Sequence, residues 1–81
     1  MTKQKITDKI LTIISNELKI ESKEIIPEST FYSLGASTHD IVDIIIDIEK
    51  VFKIIIPDKI ALGLNTVTSI INYIDITINK K

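Results

Sequence analysis

Residues 34–58 read Leu34-Gly35-Ala36-Ser37-Thr38-His39-Asp40-Ile41-Val42-Asp43-Ile44-Ile45-Ile46-Asp47-Ile48-Glu49-Lys50-Val51-Phe52-Lys53-Ile54-Ile55-Ile56-Pro57-Asp58. Placed at about 100° per residue, Ile41, Ile44, Ile45, Ile48, Val51 and Phe52 share one face, and Asp40, Asp43, Asp47 and Lys50 share the opposite one. Val42 and Ile46 fall between the two, beside the acids, where partial exposure is expected. The spacing predicts an amphipathic helix that begins near Ser37 or Thr38 and ends around Phe52 or Lys53. Ser37 or Thr38 supplies an N-cap, and Asp40 suits the positive end of the helix dipole. Ile54-Ile55-Ile56, closed by Pro57-Asp58, reads as a helix-ending loop because too few residues separate it from the helix to make a strand.

Upstream, Ile10, Leu11, Ile13, Ile14 and Leu18 form a broad helical stripe over about Thr7 to Leu18, with Thr7 as N-cap and Asp8 in the first turn. Residues 19–36 contain Pro27, Gly35 and several serines and threonines. A loop of this length within a compact domain is unusual and often functional. Ile20, Ile25, Ile26, Phe31 and Leu34 are expected to pin it to the core. Downstream, Asp58 to Leu62 predicts a short helix stopped by Gly63. Asn65 or Thr66 then caps a last helix through Val67, Ile70, Ile71 and Ile74. Residues 74–78 alternate apolar and polar, and without a partner strand they read as a fraying helix end.

The chain has 81 residues, 44% of them hydrophobic and 26% charged, which predicts one globular domain over residues 1–81 with a modest core. Cysteine is absent, so disulfides, thiolate metal sites and a cysteine nucleophile are excluded. One histidine among scattered acids offers no metal-ligand spacing. No secretory leader is legible, and no stretch approaches the roughly 18 apolar residues of a membrane span. A cytoplasmic protein is the expectation. The net charge is −1, but Asp40, Asp43, Asp47 and Glu49 outnumber Lys50 and Lys53 along the second helix. No clustered basic stripe marks a nucleic-acid binder. Any partner surface is acidic.

The order of elements and several short segments together resemble the acyl and peptidyl carrier proteins. The likeness runs over roughly residues 6–76. It is carried by Glu17-Leu18, Glu24-Ile25-Ile26-Pro27-Glu28-Ser29-Thr30-Phe31, Leu34-Gly35-Ala36, Asp40, Val42-Asp43-Ile44, Glu49, Phe52, Ile56-Pro57-Asp58, Thr66-Val67 and Tyr73-Ile74. It implies an all-α four-helix bundle with three longer helices, one short helix and a long first loop. It also implies a non-enzymatic carrier in fatty-acid biosynthesis or related lipid metabolism. In that family a serine at the start of the second helix carries 4′-phosphopantetheine, whose thiol holds an acyl group as a thioester. Basic patches on partner enzymes dock the second helix, which makes Asp40, Val42, Asp43, Ile46, Asp47 and Glu49 the docking residues here. The implied partners are acyl-handling enzymes and a phosphopantetheinyl transferase, acting on a monomer. An apolar cavity for the acyl chain is implied too, with Ile45, Ile48, Ile55, Ile60, Leu62 and Leu64 as its lining; a tight core is the alternative.

The attachment motif departs from the family's Asp-Ser-Leu at all three positions, which here are Ser37-Thr38-His39. Thr38 is the candidate for attachment, and Ser37 becomes one only if the site shifts by a residue. Thr38 is a secondary alcohol, stiffer at χ1 and more crowded than serine, so a pocket shaped around serine accepts it poorly. Three readings stay open. The chain is a docking or regulatory partner of acyl-handling enzymes, unmodified or inefficiently modified. Alternatively, it is a working carrier modified on Thr38 in fatty-acid, polyketide or nonribosomal peptide synthesis. Remotely, it is a small Thr38/His39 catalytic protein, although adjacent helical residues do not face each other and no third residue orients the base. A solvated His39 near Asp40 and Asp43 is the plainer account of that side chain.

Overall fold

The structure is a computed structural model and describes residues 1–79. Helix α1 (Lys3–Leu18) leads through a 3₁₀ turn (Ser22–Glu24) and the rest of the first loop to α2 (Thr38–Phe52), then to α3 (Asp58–Gly63) and α4 (Val67–Asn79). Helix α1 packs against both α2 and α4. Among the described residues the only extended pairing is an isolated antiparallel bridge between Thr30 and Thr66. The architecture is an all-α bundle of three longer helices and one short one.

Helix α1 begins a full turn earlier than the apolar stripe alone suggests. Thr2 is the N-cap, its hydroxyl accepting the Lys5 N–H at 3.2 Å. Thr7 lies inside the helix and donates its own hydroxyl to the Lys3 carbonyl. The reason is Ile6, which is fully buried and extends the stripe of Ile10, Ile13 and Ile14 by one turn. Helices α1 and α2 end alike, on lysines in the left-handed region, Lys19 at φ 57° and Lys53 at φ 56°. In each, the lysine N–H and the next one converge on a single carbonyl, that of Ser15 or Glu49, closing the helix end.

The core joins Ile6, Ile10 and Ile14 of α1 to Ile44 and Ile48 of α2 and to Ile70 and Ile74 of α4, all essentially sealed from solvent. Helix α2 spans its predicted residues, but only Ile44, Ile48 and Phe52 are fully inside. Ile41 and Ile45 are half-buried, and Val51 is 44% exposed, at the outer margin of the apolar face. The first loop is pinned by Ile25, Phe31 and Ala36, with Ile20 and Leu34 partly buried; Ile26 instead points outward. Gly35 takes φ +88°, a conformation open to glycine, and turns the chain into the start of α2.

Helix α4 is capped by Thr66, whose hydroxyl accepts the Ser69 N–H at 3.1 Å while the Ser69 hydroxyl accepts the Thr66 N–H at 3.0 Å. Two more amides of this helix start reach the first loop. The Val67 N–H donates to the Ser29 carbonyl at 3.0 Å, and the Thr68 N–H to the Pro27 carbonyl at 3.1 Å. The alternating residues 74–78 remain helical, with Ile74 buried and Ile76 exposed. Among the described residues no helix is long and apolar enough to cross a membrane.

Candidate functional site

The start of α2 is set by a reciprocal pair. Ser37 stands at the N-cap in extended backbone, and its hydroxyl accepts the Asp40 N–H at 3.2 Å. The Asp40 carboxylate in return accepts the Ser37 N–H at 3.0 Å. This capping box satisfies a first-turn N–H of the helix and that of the cap residue, and sets a negative charge at the positive end of the dipole. Both side chains are thereby occupied. Thr38, the first helical residue, is exposed, and its hydroxyl makes no hydrogen bond among the described residues.

His39 is 86% exposed, and its Nε2 lies 3.6 Å from Oδ2 of Asp43, one turn further on. It does not converge with Thr38 on a common point. Asp43 and Asp47 line the outer side of α2, flanked by Val42 (50% exposed) and Ile46 (41% exposed). The stripe and its apolar margin therefore coexist on one accessible surface. Glu49 is placed differently: its Oε2 accepts the Ile56 N–H at 2.7 Å, in the loop before α3. That bond ties the end of α2 to the segment that follows it.

Sequence reasoning missed Glu17 as part of this surface. It sits in the last turn of α1, half-buried where α1 packs on α2. Burial raises its carboxyl above the usual range, and the neighbouring carboxylates of Asp43, Asp47 and Asp40 raise it further. The acidic surface thus spans two helices. The available signal was positional, since Glu17 ends a helix whose apolar stripe must face α2. Among the described residues no group of three or more histidines, cysteines or acids is arranged to hold a metal ion.

A cleft of about 260 Å³ opens between the first loop and α3, lined by Phe31, Tyr32, Ile41, Ala61, Leu62 and Leu64 among others. Of the residues expected to line an acyl cavity, Leu62 and Leu64 are here. Ile48 is instead sealed in the core, Ile45 lies half-buried on α2 away from the cleft, and Ile55 is 81% exposed on the loop before α3. Ile60 is 38% exposed and does not line the cleft. The cleft's other apolar walls come from Ile41 and Ala61 and from Phe31 and Tyr32 of the first loop, the last two beyond what hydrophobic spacing within helices can reveal.

Comparison with known proteins is consistent across sequence and fold. A family model described as "Phosphopantetheine attachment site" matches residues 8–74. The acyl carrier protein of Cyanidioschyzon merolae is 36% identical over 75 residues, covering 91% of this chain and 82% of that protein. That of Prochlorococcus marinus is 36% identical over 76 residues, covering 93% and 95% respectively. In fold, a solved acyl carrier protein from Enterococcus faecalis superposes with a TM-score of 0.78 over the whole of both chains, at 24% identity. With the family model covering most of the sequence and the relatives spanning nearly all of it, this chain belongs to the acyl carrier protein family, whose members are carriers and not enzymes.

Proposed function

We propose that this chain is a cytoplasmic, monomeric acyl-carrier-like protein of fatty-acid or related acyl metabolism that docks partner enzymes through the acidic face of α2. In this reading Asp43 and Asp47 provide the long-range attraction to basic partner surfaces, and Val42 and Ile46 provide the apolar contact beside them. Asp40 and Glu49 contribute charge while holding the fold, through the capping box and the bond to Ile56. The supporting observation is this division of the acids. Two are held by backbone N–H groups, and among the described residues the half-buried Asp43 and Asp47 accept no backbone N–H bond from outside the helix. Reversing Asp43 and Asp47 to Lys is the test, read as affinity for a ketosynthase or acyltransferase at low and high salt. Weakened, salt-sensitive binding supports the reading, and unchanged affinity at low salt overturns it.

The 4′-phosphopantetheine arm implied by the family is assigned to Thr38 and not to Ser37. When bound, such an arm supplies a thiol that carries an acyl group as a thioester. A phosphodiester on the Thr38 hydroxyl would stand at the N-terminal end of α2, where the dipole and open N–H groups favour an anion. At Ser37 it would require dismantling the cap. The residues fit the group at Thr38, with the β-methyl making attachment slow. The unmodified chain is then a docking partner in its own right.

A working carrier, efficiently modified on Thr38, is the second reading, favoured by the exposed and unbonded state of that hydroxyl. Incubation with coenzyme A and several phosphopantetheinyl transferases, followed by intact mass and fragmentation, separates the two. Complete conversion on Thr38 supports the working carrier. No gain beside a reactive Thr38→Ser variant supports the docking protein.

A further inference from the structure

Resting on the reading of α2 as the docking face, we propose that this face is bipolar and fits a protein surface that is bipolar in turn. The partner presents basic side chains over the stretch of Asp43 and Asp47 and carboxylates over the C-terminal end of the helix. At about 100° per residue, Lys50 lies about 20° from Asp43 around α2 and about 10 Å further along it. It therefore continues the stripe of Asp43 and Asp47 with the sign reversed. Lys53 follows at the helix end, in the left-handed cap position. Both lysines are exposed.

The helix does not neutralise these charges itself. Asp47 and Glu49, three and four residues before Lys50 and Lys53, are the acids placed to pair with them. Among the described residues neither lysine forms an ion pair. The Glu49 carboxylate is committed to the Ile56 N–H at 2.7 Å. Glu17 of α1 adds its acid to the side of Asp40, Asp43 and Asp47. At the lysine end α1 brings Asp8 and Lys9 beside Val51, and their charges cancel. Lys50 also suits the negative end of the helix dipole, an interaction that leaves its ammonium in solvent and open to a partner. A uniformly basic surface is thus attracted by one end of α2 and repelled by the other. Opposite signs about 10 Å apart reject such a surface and fix which way round a matching one lies.

The test uses two synthetic helical peptides that share an arginine-bearing first half and differ only in the last turn, which carries glutamates in one and lysines in the other. Affinities are measured by NMR titration at about 0.15 M salt, where the Debye length is about 8 Å and only neighbouring charges count. The ratio of the two affinities is compared between wild type, Lys50→Glu/Lys53→Glu and Lys3→Glu/Lys5→Glu. The last changes the net charge equally, but on α1. Reversing Lys50 and Lys53 is expected to shift the ratio toward the lysine-ended peptide by about 3-fold or more, the size of two modest surface ion pairs. The α1 control should leave it within about 1.5-fold. An unchanged ratio in Lys50→Glu/Lys53→Glu, an equal shift in the control, or no binding of either peptide to wild type overturns the proposal. Asp43→Lys/Asp47→Lys tests the underlying reading separately. Weaker binding of both peptides upholds that reading. Unchanged binding rejects docking through the acids, and the lysine-dependent ratio still decides whether the C-terminal end of α2 selects carboxylates.

Discussion

The Glu49 carboxylate accepts the backbone N–H of Ile56 at 2.7 Å, seven residues along the chain. The bond spans the left-handed turn at Lys53 and fixes where the chain leaves α2. It turns a charged residue of the docking helix into a brace for the segment leading to α3. Glu49→Ala is therefore expected to cost about 1–2 kcal/mol, a charge-assisted bond discounted for its partial exposure. Glu49→Gln keeps an acceptor and should cost less. Urea denaturation with amide exchange at Ile56 checks both; no loss of protection at Ile56 would remove the brace.

Ser37→Ala removes one half of the capping box and is expected to destabilise the fold by about 1 kcal/mol. Attachment at Thr38, where a transferase achieves it, should persist in this variant, because Ser37 supports the helix and not the arm. Mass spectrometry after transfer, alongside thermal unfolding, reads the two effects separately. Loss of attachment with stability intact would move the acceptor to Ser37.

Glu17 predicts a pH dependence of known sign. Its folded-state pKa lies above its ordinary value of 4.5, so protonation favours the folded chain. Its contribution is full below that value and is lost as pH rises through the folded-state pKa. Glu17→Gln should thus raise Tm at neutral pH, and the gain should disappear as pH falls below 4.5. Added salt should shrink the part owed to Asp43, Asp47 and Asp40. A Tm difference independent of pH would disprove the strain between the two helices.

Ile48 and Val51 share the apolar half of α2 but differ in depth, Ile48 at 0% and Val51 at 44% exposure. Ile48→Ala is expected to cost about 2–5 kcal/mol, a large share of the stability of so small a domain. Val51→Ala should stay within about 0.5 kcal/mol. Chemical denaturation of the two variants makes the comparison, and similar losses would contradict the depth difference.

The limits of α2 were legible because Ser37, the isoleucine spacing and the Phe52-Lys53 boundary all agree. The start of α1 was not. A lone Ile6 among polar residues carries little periodic signal, so the spacing points to Thr7 as the cap, whereas the buried Ile6 carries the helix back to Thr2. Val51 shows the complementary failure, since angle around a helix does not report how wide the neighbouring helices are. At the candidate site, the acidic stripe of α2 and the departure at Thr38 could be read directly. What could not be read was which acids are tied down: Asp40 by a neighbour three residues away, Glu49 by one beyond the helix end. Glu17 joins the surface through the packing of α1 on α2, a relation between segments far apart in sequence.

The two amides that α4 directs to Pro27 and Ser29 also govern the order in which the domain can assemble. A helix start completed by residues some forty positions earlier cannot mature as an isolated segment. The first loop must already be gathered near its final path, at the entropic cost of a long chain closure, before the last helix gains those bonds. Folding of the two is thereby linked. A break in the early loop should be felt as slow, incomplete formation of a helix at the other end of the chain.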